Sequence, residues 1–296
     1  MAAYGNNSTQ VNYADMVQAQ VVAAWENSFL RFLNPIDEIA EADEKGAISV
    51  PIMTVVTMQD PVDGTLLNNS GAATFQALTF DDKVHPIKVG KSQQGVATAN
   101  RLAAEAVAAG NAAVATIEAA VLVQYMAATS SDVGTFAATT GANFKATTPS
   151  AAERVAALKF LDDAISHVLG ITGMNMSDIA CVLPVSGTGG TFGGSWGNVY
   201  HNLQVEGTYR DSTNNRWMYN GIEVFGSNAT ATGWGLADGG TAGMVIHKNS
   251  GALAYGGVED TGWYNVGDGF KERDYLVSYA SAVVQNTWAE IMNKAT

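Results

Sequence analysis

The pentapeptide Gly193-Gly194-Ser195-Trp196-Gly197 matches G-x-S-x-G, the spacing at which a serine on a sharp strand-to-helix turn acts as a nucleophile. Asp238 and His247 follow it in the hydrolase order of serine, acid and histidine. The context argues against the elbow: the preceding strand pattern ends near Val185, and no long helical pattern starts at Val199. A phosphate cradle fits no better. The run SGTGGTFGGSWG follows a strand but contains neither G-x-G-x-x-G nor G-x-x-x-x-G-K-[ST], so it reads as a flexible glycine loop. Asp37, Glu38, Glu41, Asp43 and Glu44 form a dense acidic patch, a composition that can bind a cation or move protons. No histidine or glycine-loop ligand pattern accompanies it, which favours a solvated face or a partner for a neighbour's lysines. Lys83, His85, Lys88 and Lys91 are the complementary basic set. His167 lies beside an apolar helical face and reads as structural. Cys181 is the only cysteine, so neither an intrachain disulfide nor a CxxC metal site can form. Together these residues predict no catalytic set, no cofactor and no metal, and a chain that works by contact.

Composition points the same way. The 296 residues carry a net charge of −13. Such a surface repels nucleic acid, which excludes sequence-reading DNA or RNA binding but not enclosure of DNA. The first residues, MAAYGNNSTQ, are polar and unlike a signal peptide. No uninterrupted apolar run reaches membrane-spanning length, so no membrane is expected and folding in a cytoplasm is. With 31 glycines and 15% charged residues, much of the surface is small or neutral, which suits contact with other subunits.

The elements that must carry these contacts are organised around one helix, Ser92 to Ala128, alanine-rich and free of proline. At ~1.5 Å per residue it would be about 50 Å long. Val114, Ile117, Val121 and Leu122 give it an apolar stripe, and Gly110-Asn111 is where it would bend. Before it, Asp15 to Leu33 reads as a helix ended by Asn34-Pro35. Ala47 to Met58 alternates as a strand, Thr74 to Phe80 returns, and Val84 to Val89 is a third β stretch whose Pro86 marks an edge or bulge. Residues 46–91 thus form an excursion with little core of its own, and such an arm needs a partner to lie on.

After a Gly/Ala/Thr-rich stretch, a second helix is capped by Thr148, with Pro149 in its first turn and Gly170 at its end. Its expected buried face is Val155, Leu158, Leu161, Ile165, Val168 and Leu169. Strands are expected at 179–185, 200–209, 216–225, 243–247 and 256–261, with an Asn220-Gly221 turn signal inside the third. Residues 251–254 read as a turn or short helix, 268–275 as a loop and 276–288 as the last strand.

In this order the parts resemble the major capsid proteins of tailed double-stranded-DNA phages, the Hong Kong 97 coat fold, an α+β class. The excursion resembles that family's E-loop, and Ser92 to Ala128 its spine helix. VLGITGMNMSDIACVLPVS resembles the opening of its A domain, Met218 to Asn228 its "G-x-x-V-x-x-S-N" strand, and Gly243 to Lys248 with Ala252-Leu253-Ala254 its return to the P domain. The resemblance implies an N-terminal arm over 1–45, an E-loop over 46–91, a P domain over 92–148, an A domain over 149–240 and return strands over 241–296. It also implies self-assembly as pentamers and hexamers into an icosahedral virion head made in the host cytoplasm. The head would enclose DNA, with portal and scaffolding or decoration proteins as partners. A cleaved N-terminal scaffold segment is expected to be absent. In such a shell Lys83, His85, Lys88 and Lys91 would face Asp37, Glu38, Glu41 or Glu105 of a neighbour. An encapsulin-like compartment, which shares the fold, and a Ser195 hydrolase are the alternatives.

Overall fold

The computed structural model describes residues 13–35, 47–51, 75–79, 81–90, 99–128, 151–171, 175–184, 210–211, 216–227, 241–260, 264–267 and 270–293. In chain order these are α1 (Tyr13–Trp25), a 3-10 turn (Phe29–Phe32), β1 (Asn34–Pro35), β2 (Ala47–Pro51), β3 (Phe75–Thr79), β4 (Asp81–Gly90), α2 (Ala99–Ala128), α3 (Ala151–Leu169) and β5 (Ile179–Pro184). There follow β6 (Arg210–Asp211), β7 (Arg216–Tyr219), β8 (Ile222–Ser227), β9 (Thr241–His247), β10 (Gly251–Asp260), β11 (Tyr264–Gly267), β12 (Phe270–Val283) and β13 (Ala289–Asn293).

The long helix forms, described from Ala99, and it is continuous through Gly110. Gly110 therefore does not break the helix, and it has another reason to be glycine. A Cβ there would sit 2.8 Å from Cβ and Cγ of Gln20, so the missing side chain lets α1 lie directly on α2. Ala106, Ala109, Val114, Ile117, Val121, Leu122 and Tyr125 make the buried stripe, with Val17 and Val21 of α1 in the same core. By length and composition, residues Ala104–Ala127 could cross a membrane, but this stripe packs against the protein's own sheets.

The helix expected to run to Leu33 stops at Trp25. Ser28 then caps a separate 3-10 turn, its Oγ accepting from the Leu30 N–H at 3.1 Å. Serine competes with helix continuation by this local bond. The break turns Phe29, Leu30 and Leu33 into the core, each worth about 1.5–3 kcal/mol when fully buried.

One sheet runs β1-β10-β12-β11, with β4 also paired to β12. Residues 81–90, read from sequence as part of the projecting excursion, are antiparallel to Phe270–Tyr279 along their whole length and so belong to the body. Pro86 is tolerated because β4 pairs only with β12 among the described residues, leaving an edge. The expected loop at 268–275 is the first half of β12, and the expected turn or helix at 251–254 begins β10, with a register shift between Tyr255 and Gly257. The charged run Lys271-Glu272-Arg273-Asp274 hid a strand whose alternation starts only at Tyr275. Tyr275, Val277 and Tyr279 join the core that holds α2, whereas Ala280 on the opposite face packs with Ala252, Ala254 and Leu78 of β3. The final strand expected over 276–288 ends at Val283, and β13 is a separate strand after the 3-10 turn Asn286–Trp288; another 3-10 turn, Met176–Asp178, leads into β5.

The other sheet runs β13-β9-β5-β8-β7-β6. Within the stretch 241–293, β9 and β13 thus belong to this second sheet, whereas β10, β11 and β12 belong to the first. β5 lies between a parallel β8 and an antiparallel β9. Ile179, Cys181 and Leu183 pack under α3, while Ala180 and Val182 join the α2 core, so a strand covered on both faces reads as an unbroken apolar run. β7 and β8 form a two-residue hairpin with positive φ at Asn220 (49°) and Gly221 (81°), the geometry the Asn-Gly signal predicts. In α3, Val155 is exposed, against expectation. Phe160 and Ala164 join Leu161, Ile165 and Val168 on the buried face instead.

Candidate assembly surface

The hairpin β2–β3 is antiparallel over five residue pairs. It makes a separate two-stranded sheet, and Leu78 is its fully buried anchor against Ala252, Ala254 and Ala280, with Val50 packed alongside. Residues 52–74 between the two strands lie outside the described residues, as do Asp37, Glu38, Glu41 and Lys91. Lys83 is exposed on β4, where its ammonium meets Asp81 of the same strand at 2.6 Å. That hydrogen bond raises the Lys83 pKa above its ordinary value. His85 is two residues on, opposite Tyr275 in register, and Lys88 occupies an alternate position opposite Glu272. Lys83, His85 and Lys88 are therefore spread along one strand of the first sheet. Glu105 is half-buried on α2. Val84 is exposed on the edge strand, and Val107 and Val123 are exposed on α2.

Ser195 and Asp238 lie outside the described residues. His247 is buried on β9, edge-on to Trp288 with ring centroids 4.9 Å apart. Its Nδ1 accepts from the Asn249 N–H at 3.2 Å, and burial lowers its pKa. His167 lies 3.6 Å from the buried Glu290 carboxylate, tying α3 to β13. Among the described residues no group of acidic, histidine and cysteine side chains is arranged to hold a metal.

The junction of the 3-10 turn, α2 and β8 is built from polar residues whose burial the sequence does not show. Ser28 Oγ donates to Glu118 Oε1 at 2.6 Å, and Ser227 Oγ donates to Glu118 Oε2 at 2.9 Å. Arg31 of the 3-10 turn pairs with Glu223 of β8, and its guanidinium lies 5.0 Å from the centre of the Phe225 ring. The signal available in sequence was a lone glutamate beside Ile117, in the middle of an apolar stripe. It was legible as a charge, but not as a buried one.

No protein-family model matches the sequence, and no curated protein is similar to it. Solved structures are similar in fold. The capsid of the cyanophage P-SCSP1u aligns with TM-score 0.57 at 14% identity, covering 91% of this chain and 88% of that one. The mature capsid of bacteriophage PhiM1 aligns with TM-score 0.52 at 13% identity, covering 90% and 86%. This is the Hong Kong 97 coat fold. A virus-like particle from Pyrococcus furiosus also aligns, with TM-score 0.53 at 13% identity, covering 95% of this chain and 100% of that one. Within the coat fold, the sheet built on β10 and β12 and the sheet built on β5 share α2 between them.

Proposed function

We propose that this chain is the major capsid protein of a tailed bacteriophage, a subunit that assembles into an icosahedral head around double-stranded DNA and does no chemistry of its own. The observation that carries the reading is the likeness to phage capsids over about nine-tenths of both chains. The edge of β4 that has no second partner strand among the described residues and the anchored base of β2–β3 support it, because both offer surfaces that a second copy can complete. The acidic exterior suits enclosure of DNA without sequence-reading contacts. Portal and scaffolding or decoration proteins are the further partners of such a head, and host cytoplasm the place of its synthesis. Electron microscopy of the purified full-length chain tests the reading: closed particles of uniform diameter are expected, and a chain that stays monomeric under all assembly conditions would overturn it. An encapsulin-like compartment is favoured by the virus-like-particle match alone. A packaged protein cargo, with no portal, would decide for it.

The basic residues give a second test. We infer that Lys83, Lys88 and Lys91 help hold the β4 region against carboxylates of an adjacent subunit, with Asp37, Glu38, Glu41 and Glu105 the candidate partners. An exposed ion pair contributes only about 0–1 kcal/mol, but a shell repeats it at every subunit. Replacing all three lysines by glutamate also places a new carboxylate beside Asp81 on one strand, adding repulsion. Assembly is expected to fall more at low salt than at high salt, because screening shortens the reach of charge to about 8 Å at physiological ionic strength. Sedimentation of wild-type and triple-variant assemblies across a salt series reads this out, and equal assembly at low salt would show the lysines to be merely solvated.

A further inference from the structure

Glu118 is 9% exposed, and among the described residues its two oxygens meet only hydroxyls, those of Ser28 and Ser227. A buried carboxylate is normally matched by a cation, because losing water disfavours its charge strongly. Here the nearby cation is committed elsewhere, Arg31 pairing with Glu223 on β8. Of the other charged groups on elements packed against α2, Glu26 after α1 is exposed, Asp15 lies in the first turn of α1, Glu290 of β13 meets His167 of α3, Lys271 to Asp274 open β12, and β5 carries no charge. On α2 itself, Glu105 is more than three turns away. Glu118 thus bridges three elements: the 3-10 turn, the long helix and β8 of the second sheet.

We propose that Glu118 is a proton-dependent latch on the long helix, holding the 3-10 turn and β8 of the second sheet to α2 most tightly when protonated and loosening when ionised. Burial raises its pKa above the ordinary 4.5, against the smaller opposing effect of the two serine bonds. If the turn lifts away, water reaches the carboxylate and the value returns toward the ordinary one. A proton therefore favours the closed junction. Closure is strongest below the ordinary value and is lost as pH rises through the raised one.

Hydrogen exchange on the full-length chain, held in one assembly state and corrected for the intrinsic pH dependence of exchange, tests the latch. The reporting amides are Leu30, bonded to Ser28 Oγ, and Leu33, bonded to the Leu30 carbonyl. Their protection is expected to rise on acidification, by up to about tenfold per pH unit within the window between the two pKa values. Glu118→Gln keeps the shape and cannot titrate, so its protection is expected to be high and flat. Ser227→Ala keeps the carboxylate but removes one bond that favours the ionised form, so its step is expected at higher pH than in the wild type. Flat protection in the wild type, an unchanged pH step in Glu118→Gln, or a step that stays in place in Ser227→Ala would each overturn the proposal.

Discussion

Replacing Gly251 by alanine is expected to destabilise the subunit by about 3 kcal/mol, combining overpacking with a disrupted buried hydrogen bond. A Cβ at this position would land on the hydroxyl of Tyr125, 3.2 Å from its Cζ. Tyr125 cannot swing away, because it is fully buried in the α2 core. Its hydroxyl lies 2.7 Å from Ser250 Oγ, which itself donates to the His247 carbonyl at 2.6 Å. The alanine methyl therefore strikes the point where α2 meets the turn between β9 and β10. Burial pushes the Tyr125 pKa well above its ordinary value, so ionisation does not offer relief. Tyr125→Phe alone is expected to cost about 1 kcal/mol, since Ser250 keeps its other partner. The double variant is expected to be more stable than the sum of the two single effects predicts, because removing the hydroxyl removes most of the clash. Urea unfolding of the unassembled chain measures all three, and strictly additive effects would sink the argument.

Deleting Asp60 to Ala73 is expected to have the opposite profile: a stable subunit that no longer closes shells. The sequence of 60–73 offers only Val62, Leu66, Leu67 and two alanines as apolar material, and the cores formed by the described residues are complete enough to name without it. Leu78, Val50 and the five pairs of β2–β3 anchor the hairpin from its base, and both large cores draw on other parts of the chain. The thermal midpoint of the subunit is therefore expected to move by no more than about 2 °C, equivalent to less than about 1 kcal/mol. Closed particles, counted by sedimentation and microscopy, are expected to be lost, since an excursion with so little apolar sequence of its own is expected to lie on a neighbour. Normal closed heads from the deletion variant would refute this use of the arm.

The elements legible from sequence were those whose local pattern and burial agree, whether one face is covered or both. The stripe from Val114 to Leu122, the apolar run Ile179 to Leu183 and the Asn220-Gly221 turn all stand in the structure as their patterns predict. The misread elements are those where a tertiary neighbour overrides local chemistry. Residues 251–254 are too small and glycine-flanked to look like strand, yet pairing with Ala280 to Val283 makes them one. Lys271 to Asp274 look like loop, yet β4 and β11 flank them. Val155 fits the apolar helical pattern but is exposed, while Phe160 and Ala164 take places on the face that packs with the second sheet. At the candidate surface, Lys83 was found by charge alone, and charge did not reveal that Asp81 of the same strand already meets it. Glu118, Ser28 and Ser227 come together across separations of about 90 and 109 residues, which no local pattern encodes.

The pairing of β4 with β12 has a consequence for synthesis. Gly90 pairs with Phe270, so the edge of the first sheet waits for about 180 further residues to leave the ribosome. At roughly 5–20 residues per second that delay is on the order of 10–40 s. β1 waits similarly for Ala252 and Leu253, and Leu78 waits for Ala280. A nascent chain therefore cannot present a seated hairpin or a finished edge strand to its neighbours on the same polysome. Long-range topology, slow as it is, acts as a timer that withholds stickiness until each polypeptide is nearly whole.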